Sequence, residues 1–290
     1  MGGSEPLSKV LIPVDLSKSS DALIRYVATI KKPKFDIVLF HAIEESIVLH
    51  AGGGYDVTGL IRWLEDRAKA KIEEFKNLLE EAGFRVEVYP EMPVADPGGI
   101  IPEVAASINA TEIFIASKGM GLARVIPLGS TINAVVKLSR VPVVRFKVFH
   151  DKKRDEASIL GGREPFSKIL VGVDVNVSKE MIEYSVRLAS KVGGKVVYTH
   201  VIEHGESPPP QVKNAFRLAD KLTSTLSVDS EFIVVSGHPP KVLLQLASHL
   251  EVTSILVGRT VTKTLGEIIL GSTLDKLLKT SQLPLIVYPL

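Results

Sequence analysis

The hydrophobic pattern of the chain alternates short apolar runs with longer amphipathic segments. Val10–Val14 and Asp36–Ala42 are apolar, rich in β-branched residues and too short to show a helical period, which is typical of buried parallel strands. Between them, Asp21–Lys31 carries apolar residues three and four positions apart, and it follows a group of serines that are candidate helix caps. The chain therefore opens with a predicted strand, helix and strand.

A long amphipathic helix and five shorter elements follow in the first half. The long helix has one apolar face and is expected to end at Gly83. The predicted elements are a helix with Leu64, Ala68, Ile72, Phe75 and Leu79 on its buried face, strands over Arg85–Glu91, Glu112–Ala116 and Val143–Val148, and helices over Ile100–Ile108 and Thr131–Ser139.

The second half of the chain repeats the pattern of the first. Lys9–Asp15 matches Lys168–Asp174 with an offset of 159 residues, and Gly129 matches Gly271 with an offset of 142. The two offsets differ by 17, so the second copy lacks 17 residues between about 202 and 237. Because both offsets hold across several landmarks, the chain is interpreted as a tandem duplication.

Strands that alternate with helices at this spacing predict right-handed crossovers and a parallel sheet. We therefore expect an α/β protein with two tandem doubly wound domains, each with a five-stranded parallel sheet flanked by helices. The domains are expected over 1–148 and 167–290, joined by a linker over 149–166 that is rich in charged and turn-forming residues. Strands of the second domain are predicted near 168–173, 195–201, 231–236, 253–257 and 283–288.

Composition narrows the class of protein without identifying a site. The 290 residues are 45% hydrophobic and 23% charged, which suits two domains with proper cores. A net charge of +2 does not indicate nucleic-acid or membrane binding, and the absence of cysteine excludes disulfides and thiolate chemistry. Since Met1–Pro6 lacks the apolar core of a signal peptide, and no apolar run reaches about 18 residues, we expect a soluble, cytoplasmic protein.

Small and polar residues lie at the strand ends and at one helix start of each copy. In an open parallel sheet, ligands bind outside the carboxyl ends of the strands, where the strand order reverses. A helix start adds free backbone N–H groups and the positive end of the helix dipole, which favour a phosphate. The residues concerned are Asp15, Ala42, Gly129, Ser130 and Thr131 in the first copy and Asp174, Val201, Gly271, Ser272 and Thr273 in the second.

This set of residues suits a nucleotide. Aspartate can bind a base or ribose, glycine lets the backbone approach phosphates, and Lys118 and Arg124 are candidates to neutralise phosphate charge. The alternative is purely structural: Gly129 and Ser130 only begin a helix, and Asp15 only caps one. Because the same nine-residue gap precedes Gly-Ser-Thr in both copies, the pattern favours the ligand.

Two further features have competing interpretations. His41 and His200 occupy equivalent strand ends, where a packed, hydrogen-bonded histidine is favoured over a base or a ligand. The extra residues of the first copy fall near 44–59 and contain Gly52–Gly54. This stretch is either a lid over the carboxyl edge of the sheet or an exposed loop without a role.

The motifs resemble those of the universal stress protein family in tandem form. They are an aspartate after the first strand, His-Val after the second, as in His200-Val201, Gly-x-Pro before the third helix, as in Gly237-His238-Pro239, and Gly-x-x-Gly with Gly-Ser nine residues later. The resemblance covers nearly the whole chain outside the linker. It implies α/β domains of five parallel strands with an adenine nucleotide alpha hydrolase-like fold, ATP or AMP bound at the glycine loop in one branch of the family, and dimerisation through the last strands.

The two copies depart from the family pattern differently. The first has Ala116 for the opening glycine and Ala95-Asp96-Pro97 for Gly-x-Pro, whereas the second has Val261 for the second glycine. A β-branched residue resists positive φ and projects a side chain toward the phosphates, so we expect the first copy to bind nucleotide better. The implied nucleotide-binding residues are Pro13, Asp15, Ala42, Ile115, Ala116, Lys118, Gly119, Gly129, Ser130 and Thr131, and in the second copy Asp174, Val201, Gly258, Arg259, Gly271, Ser272 and Thr273.

These observations predict a regulatory stress-response protein that binds ATP or AMP, with Mg²⁺ accompanying the triphosphate. No catalytic residue or protein metal site is predicted, so turnover is expected to be slow at most. The alternatives are a Mg²⁺-dependent ATPase or phosphotransferase that uses Asp15 or Lys118, and an interaction module that no longer binds nucleotide. The expected partners are the other half of the chain, as a pseudo-dimer of Val143–Val148 against Leu283–Tyr288, a second chain in a homodimer, and an unidentified protein.

Overall fold

The computed structural model divides the chain into two compact units, 1–159 and 160–290. It describes residues 8–30, 35–51, 56–119, 129–151, 153–159, 164–202, 207–264 and 267–290. Within those ranges, no helix combines the length and the apolar character needed to cross a bilayer.

The first unit is a parallel sheet with helices between its strands. The sheet order is β7-β6-β1-β2-β4, and β8 pairs antiparallel with β7. The bounds are β1 Ser8–Pro13, α1 Lys18–Ala28, β2 Phe35–Phe40, β3 Ile43–Glu44, α2 Glu45–Ala51, α3 Val57–Glu81, β4 Val86–Val88, β5 Val94–Ala95, α4 Pro97–Ser107, β6 Glu112–Gly119, α5 Ser130–Leu138, β7 Val143–Asp151 and β8 Glu156–Ile159.

The second unit repeats this topology, with the parallel order β11-β10-β9-β12-β15. The bounds are β9 Lys168–Gly172, α6 Lys179–Ser190, β10 Lys195–Ile202, α7 Pro210–Thr225, β11 Asp229–Ser236, α8 Pro239–His249, β12 Ser254–Arg259, β13 Val261–Thr264, β14 Glu267–Leu270, α9 Ser272–Thr280 and β15 Leu285–Pro289. The α/β, tandem, doubly wound prediction is confirmed.

Helix starts and buried faces follow the sequence pattern closely. The Ser17 side chain accepts a hydrogen bond from the Ser19 N–H and caps α1, as the serine cluster predicted. The 25-residue α3 buries Ala68, Ile72, Phe75 and Leu79, four of the five positions assigned to its apolar face. Gly83, at φ +93°, lies just past the end of this helix and adopts the left-handed conformation that a helix end favours.

Several predicted bounds were wrong, and pairing partners explain why. The strand predicted to end at Ala116 continues to Gly119, because β6 pairs with β7 as far as Gly119 and Phe149. The strand predicted over Arg85–Glu91 is confined to Val86–Val88, ahead of Pro90. Proline has no N–H to give to a sheet, so it ends the ladder early.

Regions predicted to lack regular structure also contain short elements. Helix α2 and strand β3 occupy part of the insertion of the first copy, while Gly52–Gly54 and the predicted lid lie outside the described residues. In the predicted linker, residues up to 151 extend β7, and Glu156–Ile159 returns along it as β8. In the second copy, the nine-residue gap holds the β13–β14 hairpin.

Candidate functional site

The strand order of the first unit reverses at β1, because β1 pairs with β2 on one side and with β6 on the other. A crevice outside the carboxyl ends of β1 and β6 is the usual ligand site of such a sheet. Pro13 is the last residue of β1 and Ala42 follows β2. Ala116, Lys118 and Gly119 lie in the carboxyl half of β6, directly after Ile115 at its middle. The fold therefore brings these predicted residues to one edge.

Asp15 lies in a tight turn between β1 and α1. Its Oδ1 accepts hydrogen bonds from the Ser17 N–H at 3.0 Å and from the Ser20 hydroxyl at 2.6 Å, while its own N–H donates to Ser20 Oγ at 2.9 Å. Leu16 turns the chain at φ +59°, a conformation that costs a non-glycine residue about 1 kcal/mol. The exposed carboxylate of Asp15 is thus held at the first turn of α1.

In each copy, a histidine at the end of the second strand forms a hydrogen bond to the backbone at the end of the first strand. In the first copy, His41 Nδ1 donates to the carbonyl oxygen of Val14 at 2.7 Å. In the second, His200 Nδ1 donates to Val173 O at 2.8 Å. The expectation of hydrogen-bonded histidines at these strand ends is confirmed, and each bond fixes the distance between the loops after the two strands.

Helix α5 begins at the same edge without a side-chain cap. Its N-cap is Gly129, at φ −55°, and Ser130 and Thr131 are its first residues. No described atom outside its chain neighbours lies within 4 Å of a Cβ placed on Gly129. The first amides of α5 are therefore available to an anion as far as the described part of the chain shows.

Helix α4 is held close beside α5. The Asp96 carboxylate caps α4 by accepting from the Gly99 N–H at 3.0 Å. A Cβ on Gly98 would lie 2.6 Å from the Ala134 Cβ, and 3.6 Å from the Thr131 Cα. Contact at that distance requires glycine, so Gly98 sets how near α4 approaches the start of α5.

The remaining predicted contacts of the first copy are described only in part. Lys118 and Gly119 pair with Val148 and Phe149 through the backbone, but their side chains lie outside the described residues. Residues 120–128, including the candidate phosphate ligand Arg124, also lie outside them.

The equivalent edge of the second unit has the same plan. The Asp174 Oδ1 accepts from the Asn176 N–H at 2.8 Å. The first turn of α6, which follows Ser178, contains no serine that could match the contact of Ser20 with Asp15. At the start of α9, the Gly271 N–H donates to the Thr260 carbonyl at 3.3 Å. A Cβ on Gly271 would lie 3.0 Å from Thr260 Oγ1.

In the second copy, the residues that match the Gly-x-x-Gly motif pack against other parts of the domain. Gly258 lies beneath Leu290, whose Cδ1 would be 2.5 Å from an added Cβ. Val261 pairs with Leu270 in the β13–β14 hairpin, so it has the extended backbone that a β-branched residue favours. Burial lowers the pKa of Arg259 below its ordinary value, yet the side chain stays positively charged near neutral pH. Val201 lies within β10, Gly271 caps α9, and Ser272 and Thr273 are its first residues.

Two contacts of the site were missed from the sequence. Ser20 binds Asp15, although the pattern identified it only as a possible cap. The β7–β8 hairpin packs on α1: Lys18 Nζ donates to the Asp155 backbone carbonyl at 3.1 Å, and Ser19 Oγ lies 3.3 Å from His150 Nε2. Lys18 also holds the pKa of the Asp155 carboxyl below its ordinary value. The contacts of the hairpin join residues more than 130 positions apart, which leave no periodic signal in the sequence.

Comparisons with known proteins agree with this architecture. The model of the universal stress protein family matches residues 6–147 and 165–289. A universal stress protein of Mycolicibacterium smegmatis is 26% identical over 204 residues, which cover 69% of this chain and 66% of that protein. Universal stress protein MJ0577 of Methanocaldococcus jannaschii is 29% identical over 154 residues, covering 48% of this chain and 94% of that protein.

A solved structure extends the match to the full length. The crystal structure of a universal stress protein from Archaeoglobus fulgidus has a TM-score of 0.76, with 24% identity, and the match covers 97% of this chain and 98% of that one. At this identity the likeness concerns the fold. With both halves matched by the family model, the chain belongs to the universal stress protein family and carries two tandem domains of it.

Proposed function

We propose that the first domain binds an adenine nucleotide, ATP or AMP, at the carboxyl edge of its sheet, and that the protein acts as a regulatory binding protein. One observation carries the proposal: a held carboxylate and a helix start without a side-chain cap lie on the loops that follow β1 and β6, where the strand order reverses. Family membership supports it, since the resemblance noted above includes nucleotide-binding members.

The two ends of the proposed site suit the two ends of a nucleotide. Asp15 would accept a hydrogen bond from the base or ribose, beside the Ala42 backbone at the end of β2. The N–H groups of Ser130 and Thr131 at the start of α5 would hold a phosphate, with Lys118 as the cation on β6. When ATP is bound, Mg²⁺ would partner its phosphate oxygens rather than a protein cage.

The second domain is proposed to bind nucleotide more weakly or not at all. At its helix start, Thr260 engages the Gly271 N–H, which removes one donor from a phosphate. Leu290 occupies the space above Gly258. Both observations support weaker nucleotide binding by the second copy, whereas Val261, in an extended strand, is not strained as the sequence suggested.

The tandem arrangement is proposed to serve assembly. Two domains of one family in a single chain fit the internal pseudo-dimer that the resemblance implies. Nucleotide in the first domain would then set the conformation of the pair or its affinity for a protein partner.

The test measures how many nucleotides each chain binds, and whether that number depends on the start of α5 or on the start of α9. Protein stripped by denaturation and refolding is titrated with ATP and AMP, and we expect about one equivalent per chain. Gly129→Val should abolish that equivalent, because the φ of −55° accepts valine while the side chain fills the space before α5.

The matched control is Gly271→Val in the second copy. It should leave the single equivalent in place, with folding of both variants checked by thermal unfolding. Two equivalents in the wild-type chain would contradict the ranking of the copies. No bound nucleotide and no heat of binding would overturn the proposal itself and favour an interaction module.

A further inference from the structure

The outer strand of the second sheet is long, apolar and exposed. Within the described residues, β11 pairs only with β10, and it runs for eight residues. Phe232 and Val234 are 37% and 45% exposed. A long apolar edge strand is a template for pairing with another strand, and natural edges are usually shortened, charged or interrupted to prevent it.

The backbone of β11 presents half of its hydrogen-bonding groups outward. The Gly237 N–H donates to the Ile202 carbonyl of β10 at 2.9 Å. In a parallel ladder, alternate residues bond to one neighbour, so Gly237 and every second residue before it face β10. The residues whose N–H and C=O groups face away from β10 are therefore Ser230, Phe232, Val234 and Ser236.

The corresponding edge of the first sheet is protected. There, β4 spans only Val86–Val88, and the Tyr89 N–H bonds inward to the Leu39 carbonyl. Pro90 and Pro93 then follow, whereas 229–236 contains no proline. Proline lacks the N–H that a pairing strand needs, so the first copy blunts the edge that the second copy leaves open.

We propose that β11 is a self-association edge, at which two chains pair antiparallel around a two-fold axis through Ile233. This register uses all four outward-facing residues: Phe232 lies opposite Val234 of the second copy, and Ser230 lies opposite Ser236. Each such pair exchanges two backbone hydrogen bonds. It also sets an exposed aromatic ring against an exposed β-branched side chain, a favourable cross-strand pair.

Charge favours a second copy as the occupant. Asp229 and Glu231 are the acidic residues of β11, and both lie at its start, where each forms an ion pair with Lys195 of β10. In the proposed register Glu231 faces Val235, and Asp229 faces Gly237, next to the start of α8 and its positive helix dipole. The acidic groups of the two chains are thus kept at opposite ends of the interface, which an arbitrary extended peptide would not ensure.

The first test is the mass of the full chain in solution, measured by sedimentation equilibrium without nucleotide. We expect a dimer that Val234→Lys converts to a monomer, since each lysine would replace a side chain in the paired Phe232–Val234 contact. The control is Ile47→Lys on α2, an apolar residue with 47% exposure, which should remain dimeric. A monomeric wild type, or a dimer lost only with Ile47→Lys, would overturn the proposal.

The second test fixes the register. The chain has no cysteine, so a single introduced thiol reports one contact. Opposed residues at a non-hydrogen-bonded position lie about 4.5 Å apart between Cα atoms, close enough for a disulfide. Ile233→Cys should therefore give a covalent dimer on mild oxidation. Val235→Cys, whose two copies would be roughly 13 Å apart, should not. Equal crosslinking of both variants would contradict this interface.

Discussion

Replacing Asp15 by alanine is expected to weaken ATP and AMP binding by roughly 10- to 150-fold, as loss of a hydrogen bond to a charged group costs about 1.5–3 kcal/mol. The proposed site offers this carboxylate to the base or ribose, and Ser17 and Ser20 hold it in place through Oδ1. Isothermal titration of the stripped protein would measure the change in Kd. Asp15→Asn, which can still accept from the Ser17 N–H, should lose less affinity.

The duplication supplies the matched control for this experiment. Asp174→Ala removes the equivalent carboxylate, which accepts from the Asn176 N–H, and it should leave the Kd of the first site unchanged. If Asp174→Ala weakens binding as much as Asp15→Ala does, the site is not confined to the first copy. Unchanged affinity in Asp15→Ala, with normal thermal unfolding, would restrict Asp15 to its structural role in the turn.

Gly98→Ala is expected to destabilise the first domain by about 1–3 kcal/mol, the usual cost of overpacking a close contact. The added Cβ would lie 2.6 Å from the Ala134 Cβ, and neither atom can rotate away because both are fixed to helix backbones. Helices α4 and α5 must therefore separate, which also shifts the start of α5. Urea unfolding would show the loss as a lower midpoint with an unchanged slope.

Substitution of the neighbouring glycine tests whether the close contact between α4 and α5, rather than the change in helix propensity, causes the expected destabilisation. The nearest atom that a Cβ on Gly99 would meet is Asp96 Oδ2, at 3.8 Å. Gly99→Ala should therefore be neutral, or stabilising by up to about 1 kcal/mol, since alanine is the better helix former. Equal destabilisation by both substitutions would show that the α4–α5 contact is not tight.

The fold was largely predictable because the hydrophobic periodicity of each helix and strand is contained in one short stretch of sequence. The apolar face of α3 and the β-branched runs of β1 and β2 each lie within one stretch of sequence, and their burial follows from periodicity. Strand ends were less predictable. Whether β6 stops at Ala116 or at Gly119 depends on how far β7 extends beside it, and that pairing is a tertiary property.

The place of the candidate residues at the carboxyl edge of the sheet was predictable, but their contacts were not. Topology places every residue that follows a strand at the carboxyl edge, so Asp15 and Ala42 could be assigned in advance. The contact of Ser20 with Asp15 could not, because it depends on the left-handed backbone of Leu16. The β13–β14 hairpin was missed because a short stretch around Val261 does not reveal its own pairing partner.

The histidine bonds at the strand ends also determine a tautomer. A carbonyl oxygen only accepts, so the Nδ1 atoms of His41 and His200 carry a proton in these bonds. Both copies therefore use the same ring nitrogen to join the ends of their first two strands. The proposed difference in nucleotide affinity between the copies therefore does not come from these histidines, which the duplication has kept alike.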